Sequence, residues 1–169
     1  WSGPIEVRSA LDGTVTNSGV ARYQGLRCDH LVPVEQGAVD DDGAYVQVQT
    51  RQSHIFVAEA ARTRVMIDRR RVSDRPQVFA KPGHVEQAWS VEVEQGASLT
   101  VEKVVALHTS RDYAISEPGL AASAAIEDVG GFDDLACLLQ RRRQRFLRPD
   151  VFARSQRGQA HVGVRERRR

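Results

Sequence analysis

Cysteine is scarce in this chain. Cys28 and Cys137 are the only two in 169 residues, far apart, with no CxxC pair and no metal-ligand spacing. They read as reduced thiols of a cytoplasmic protein rather than as a disulfide framework. No run approaches the roughly 18 apolar residues of a membrane-spanning helix, so no membrane partner is expected. The first residues, Trp1 to Pro4, contain neither an initiator Met nor the basic, apolar and small-residue order of a signal peptide. They read as the start of a chain whose beginning is missing. GxGxxG and GxxxxGK[ST] are absent, so no phosphate-cradling loop is indicated, and neither HExxH nor a Cys/His cluster offers a metal site. No cofactor, metal or catalytic residue is assigned.

Lysine is missing from the last fifth of the chain, where arginine takes its place. Residues 135–169 hold 11 Arg and two acids, Asp150 and Glu166, whereas residues 1–134 hold 13 basic and 20 acidic residues. The overall charge of +2 therefore joins an acidic body to a basic end.

The body reads as successive short strands. Ile5 to Ser9 alternates and is followed by the turn dipeptide Asp12-Gly13. Asp40 to Gly43 is a second turn, opening a strand from Tyr45 to Thr50 in which Val46 and Val48 share a face. Ile55 to Ile67 is apolar on both faces at first and then sets Arg62 and Arg64 against Thr63, Val65 and Ile67. In Val85 to Glu94 the odd positions Val85, Gln87, Trp89, Val91 and Val93 oppose Glu86, Ala88, Ser90, Glu92 and Glu94, the period of a half-buried strand. Gln95 to Ala97 then turns the chain into a predicted hairpin partner carrying Leu99, Val101, Val105 and Leu107 on one face.

After Pro118 the period changes. Leu120 to Asp128 predicts a short helix, Gly130-Gly131 a break, and Phe132 to Leu147 a second helix with Asp133 and Asp134 in its first turn. Beyond Pro149 periodicity fades into what reads as a disordered tail. The fold class expected is mainly β: an incomplete antiparallel β-sandwich over residues 1–134, followed by C-terminal helices. Residues 135–169 form a separate Arg-rich helix and tail.

Lys103 lies on the apolar face of its strand, between Val101 and Val105, and Glu59 sits among Ile55, Val57, Ala58 and Ala60. A charge so placed needs a partner or solvent, so Glu59 and Lys103 are the candidate structural ion pair. His30 and His108 lack a neighbouring nucleophile and read as ordinary histidines. Trp89 reads as core, and Ser110 to Asp112 as a turn held by the Asp side chain. Asp40 to Asp42 is out of register for a calcium loop, because Ala38 and Gln49 occupy the opening and closing positions, and it reads as a solvated turn.

Taken in order, Val7 to Gly13, Asn17 to Tyr23, His30-Leu31, Ala58 to Val65, Thr100 to Leu107 and Thr109 to Asp112 resemble the N-terminal domain of glycoside hydrolase family 65. The resemblance covers about residues 5–134. It implies a large antiparallel β-sandwich of supersandwich type, preceding a helical linker and an (α/α)₆ barrel that carries the chemistry. It also implies a parent enzyme, of homodimeric kind, acting on trehalose, maltose, kojibiose or related α-glucosides by inverting phosphorolysis or hydrolysis. In such inversion a carboxylic acid protonates the leaving oxygen while phosphate or water attacks from the opposite face. The family's acid and phosphate-binding residues lie beyond this chain, so none is carried over. Phe132 to Leu135 matches the family's Phe-Asp-x-Leu segment. The helix that follows in the family bears a His and two Trp, whereas Cys137 to Arg145 has neither, which reads as coding sequence in a shifted frame.

Two other functions compete with an enzyme's non-catalytic domain. A stand-alone carbohydrate-binding module needs an aromatic platform, for which Trp1, Trp89 and three tyrosines are the material. A nucleic-acid binder would use the arginine-rich end to neutralise phosphates, but that end lacks interleaved aromatics, so no specific nucleic acid is expected.

Overall fold

The computed structural model describes residues 1–16 and 29–146, with backbone alone for 142–146. Cys28, the Asn17 to Tyr23 motif and the expected tail lie outside the described residues. Eight strands precede two helices: β1 (Gly3–Asp12), β2 (Leu31–Val39), β3 (Gly43–Thr50), β4 (Phe56–Ile67), β5 (Arg70–Arg71), β6 (Gln77–Lys81), β7 (His84–Val93), β8 (Leu99–Thr109), α1 (Pro118–Asp128) and α2 (Phe132–Phe146). All described pairings are antiparallel. One sheet has the order β1-β7-β6. In the other, β2 pairs β3, β3 pairs β4, and β4 pairs β8 along its remaining edge, with β5 folded onto the end of β4.

The two sheets face each other. Leu11 and Val85 of the first meet Ala44, Val46, Val48 and Ala61 of the second, and Trp89, Val91 and Val93 pack with Val65. Ser9 Oγ and Thr63 Oγ1 join β1 to β4 at 2.8 Å, and Gln87 Nε2 donates to the Gly43 carbonyl at 3.3 Å. The expected β-sandwich is present, and Trp89 is core, 5% exposed.

Ile55 to Ile67 reads as apolar on both faces because β4 is covered twice. Its odd residues Ala61, Thr63 and Val65 look onto the first sheet, while Ala58 and Ala60 meet Ala122 and Ile126 of α1. Alanine on both sides of that contact lets helix and sheet approach closely. α1 opens with Pro118, whose missing N–H is no loss in a first turn. Its last turn contains no basic residue, and the sheet supplies one instead: Arg62 Nη1 donates to the Ile126 carbonyl at 2.6 Å.

The predicted hairpin between β7 and β8 is not formed. β7 pairs β1 along its whole length on one edge and β6 from His84 to Ala88 on the other, while β8 crosses to the second sheet and pairs β4 over its full length. Gly96, at φ 91°, makes the left-handed bend. Asp68 fixes the crossing, its N–H donating to the Ser98 carbonyl and its Oδ1 accepting from Ser98 N–H, both at 2.9 Å. Alternation along β7 reports the face it buries, whereas in β8 the expected apolar face is exposed at Val101, Val105 and Leu107 and Val104 is buried on the other, beside α1; in neither strand does it report the edge paired.

The chain divides into two compact units, residues 1–129 and 130–169. In the second, α2 starts at Phe132, and Asp134 Oδ2 accepts from the Gly131 N–H at 2.9 Å, closing the first turn as a capping carboxylate. Leu135, where the Arg-rich composition begins, falls within α2.

Because α1 is held to the sheet by Ile126 (1% exposed) and not by Leu120 (68% exposed), Ile126→Ala should cost about 2–5 kcal/mol. Leu120→Ala should stay within about 0.5 kcal/mol. Denaturant titration of both variants measures the contrast.

Candidate functional site

A cleft of about 520 Å³ lies between the outer face of the second sheet and the first turn of α1. Glu35 reaches it from β2, Tyr45 and Gln47 from β3, Phe56 from the start of β4, and Ser116 and Ser123 from the helical side. The pairing of β2 with β3 slips between Pro33 and Glu35, and such a bulge re-aims the residues that follow it. Tyr45 and Gln47 then share the face opposite Val46 and Val48, the face that α1 covers in part. The helix comes close because residue 119 is glycine, where a Cβ would stand 2.7 Å from Gln47 Oε1.

Burial pushes the Tyr45 hydroxyl up to about 12, and its bond to the Glu35 carboxylate pushes in the same direction. Both effects favour the neutral phenol, which donates to Glu35. The lining offers hydroxyl, amide and carboxylate groups beside two aromatic rings, suited to a neutral polyhydroxylated molecule. Among the described residues two carboxylates, Glu35 and Glu117, line it and no lysine or arginine does, which disfavours a phosphate ion.

A second polar cluster lies on β4. Asp42 pairs with Arg71 at 3.0 Å and Arg64 at 3.5 Å, Arg64 pairs with Glu102 at 3.8 Å, and Asp41 pairs with Arg75 at 2.9 Å. The run from Asp40 forms the expected turn with Asp40 and Asp41 exposed, and arginines pair with Asp41 and Asp42. Burial, and then Arg64 nearby, hold the Arg62 guanidinium below its ordinary value. Among the described residues no group of three or more His, Cys, Asp or Glu could hold a metal ion.

The expected pairing of Glu59 with Lys103 is not what the structure forms. Lys103 Nζ donates to the Ala10 carbonyl of β1 at 2.9 Å. In the β4–β8 register Lys103 stands opposite Thr63 and Glu59 opposite Leu107, four residues away along the strand, or about 13 Å. Both residues share the predicted face, but strand spacing keeps them apart. Ser110 to Asp112 forms the Asp-held turn, with Asp112 Oδ2 accepting from Thr109 N–H at 2.7 Å. The cleft was not foreseen in the sequence. The signal that could have found it is Pro33-Val34-Glu35, which breaks the alternation just before a strand carrying Tyr45 and Gln47.

Residues 1–145 match the family described as glycosyl hydrolase family 65, N-terminal domain. The chain belongs to glycosyl hydrolase family 65. Its match to that N-terminal domain continues past Leu135 into α2. An uncharacterized glycosyl hydrolase of Mycobacterium tuberculosis, found in strains CDC 1551 and H37Rv, is 33% identical over 135 residues, or 80% of this chain and 10% of that protein. The kojibiose phosphorylase of Halothermothrix orenii is 24% identical over 127 residues, 75% of this chain and 15% of that enzyme. The family 65 chain thus spans a small fraction of the length of the curated relatives it matches.

Tyr45→Phe should remove an ultraviolet phenolate transition near pH 12, and Glu35→Gln should move that transition down. The sign of the linkage follows from a raised acid. The neutral phenol's contribution to stability is complete below pH 10 and is lost as pH rises from about 10, where the unfolded chain ionises, to about 12. Alkaline unfolding of wild type and Tyr45→Phe checks that difference.

Proposed function

We propose that this chain supplies the non-catalytic N-terminal β-sandwich of a cytoplasmic enzyme that acts on α-linked glucosides such as trehalose, maltose or kojibiose. The reaction is inverting phosphorolysis or hydrolysis, carried by the remaining polypeptide, with phosphate or water as second substrate. The match over residues 1–145 to a family's N-terminal domain carries this reading. The kojibiose phosphorylase of H. orenii, of which the matched region is 15%, supports it. The cleft adds to it, since among the described residues its lining has two carboxylates and no cation, which is unsuited to bringing phosphate to an anomeric carbon. The exposed free thiol of Cys137 fits a reducing compartment. No helix of the described residues is long and apolar enough to cross a membrane. A homodimeric parent belongs to the same reading.

The purified chain should release no glucose or glucose 1-phosphate from trehalose, maltose or kojibiose, with or without phosphate, above a buffer blank. Release that a point substitution within residues 1–146 abolishes would overturn the proposal.

The cleft favours a second reading, a stand-alone carbohydrate-binding module. Calorimetric titration with the same disaccharides separates the two. Saturable binding that is lost in Glu35→Gln and Tyr45→Phe supports the module, and heats equal to dilution support the enzyme domain.

A further inference from the structure

The β4–β5 hairpin delivers a serine into a group of arginines. Asp68 and Arg69, both left-handed at φ 48° and 66°, reverse the chain. The ladder then runs on to Val72, whose N–H donates to the Val65 carbonyl at 2.9 Å. Ser73 is the first residue beyond that pairing. It is exposed, in the irregular connection to β6, and the two residues of β5 that precede Val72, Arg70 and Arg71, are extended and exposed as well. In the whole sequence no other serine or threonine has arginine both two and three residues before it. The serines with a single arginine close before them in β1 and after β3 have engaged hydroxyls. Ser53 bonds Thr50 Oγ1 at 2.6 Å, and Ser9 bonds Thr63 Oγ1 at 2.8 Å between the sheets.

Ser73 borders one pocket with Arg64, Arg71, Arg75, Asp41 and Asp42. Arg75 pairs with Asp41 at 2.9 Å, with both side chains more than half exposed, and such pairs are weakly held. Arg71 pairs with Asp42 at 3.0 Å, but Asp42 also holds Arg64 at 3.5 Å. A stronger anion at Ser73 could therefore take Arg71 and Arg75 without leaving the more buried Asp42 uncompensated. A phosphoserine is such an anion. It carries about two negative charges and three acceptor oxygens, and its charge-assisted bonds to guanidinium groups are shorter and stronger than neutral ones. Asp74, next in sequence, is exposed, where solvent and salt screen its repulsion.

We propose that Ser73 is a phosphorylation site for a serine/threonine protein kinase that reads arginines two and three residues before its target, and that the phosphate draws Arg71 and Arg75 away from the aspartates. In the transfer Ser73 Oγ forms a bond to the γ-phosphorus of ATP. The bond from that phosphorus to the bridging oxygen breaks, ADP leaves, and the hydroxyl proton passes to a carboxylate of the kinase. Arg70 and Arg71 are presented to an acidic kinase groove, the second of them with 52% of its side chain exposed even in its pair with Asp42. The site is separate from the enzyme-domain reading and does not rest on it.

The test incubates the full chain with the catalytic subunit of cyclic-AMP-dependent protein kinase and MgATP, beside a capped peptide of residues 66–78. The intact mass should rise by one phosphoryl group, fragment spectra should place it on Ser73, and Ser73→Ala should abolish it. Arg70→Ala, at an exposed side chain, should fold normally and slow the transfer by about tenfold or more. Phosphorus NMR of the modified chain should show the phosphoserine losing its second proton at lower pH than in Arg75→Ala, because a guanidinium favours the dianion. A folded chain that accepts no phosphate, whether or not the peptide does, overturns the site, as does transfer that survives in Ser73→Ala. Transfer to Arg70→Ala at the wild-type rate overturns the reading by arginine. A second deprotonation unchanged in Arg75→Ala overturns the capture of the phosphate.

Discussion

β4 is buried on both faces and paired along both edges, and most of the first unit is arranged around that fact. β3 and β8 take its edges, the first sheet covers its odd residues, and α1 covers Ala58 and Ala60. A strand so enclosed must be apolar or small wherever neighbours press on it. Its two central alanines, fully buried, leave the helix room to lie close. Arg62 on the same face is the exception. It is buried, and it finds the last-turn carbonyl of α1 at 2.6 Å, so the charge that is costly to bury also ends the helix. Around it Asp42 and Glu102 hold Arg64, and Asp42 also holds Arg71. The arginines of this strand are thus structural in origin.

The two ends of the outer face have different chemistry for the same reason. At one end arginines and carboxylates pair with each other and fill the space. At the other the bulge in β2 and the glycine in the first turn of α1 leave a cleft whose hydroxyl, amide and carboxylate groups point at solvent. Tyr45, held neutral by burial and by Glu35, gives that cleft a fixed donor. The groups suit a sugar's hydroxyls far better than a phosphate. Among the described residues the cleft's charged groups are the carboxylates Glu35 and Glu117.

The sandwich also has an asymmetry in how its two sheets are covered. Among the described residues Val101, Val105 and Leu107 of β8, in the five-stranded sheet, stay exposed beside the three-stranded one, and Lys103 caps one carbonyl of the neighbouring β1 edge. Lysine at an edge is a common guard against unwanted pairing.

The sequence by itself determined which residues face inward in β1, β3 and β7, that β4 would be covered on both sides, and where α1 and α2 are separated by Gly130-Gly131. Burial of side chains on one face of a strand or helix leaves a period in the sequence, and that period was legible. It also carried the family motifs, from Val7 to Asp112. What only the tertiary structure decided was which edges meet. Backbone N–H and C=O groups are common to all residues except proline, so nothing in the alternation of β7 and β8 told a hairpin from a crossing. The edge β8 takes is that of β4, which it pairs from Val57 to Ile67. Lys103 was legible as a cation on an apolar face, but its partner depended on which strand came to lie nearest, and that proved to be the Ala10 carbonyl of β1 rather than Glu59. The cleft was decided the same way, since Glu35, Tyr45 and Ser123 meet only after β2, β3 and α1 have packed.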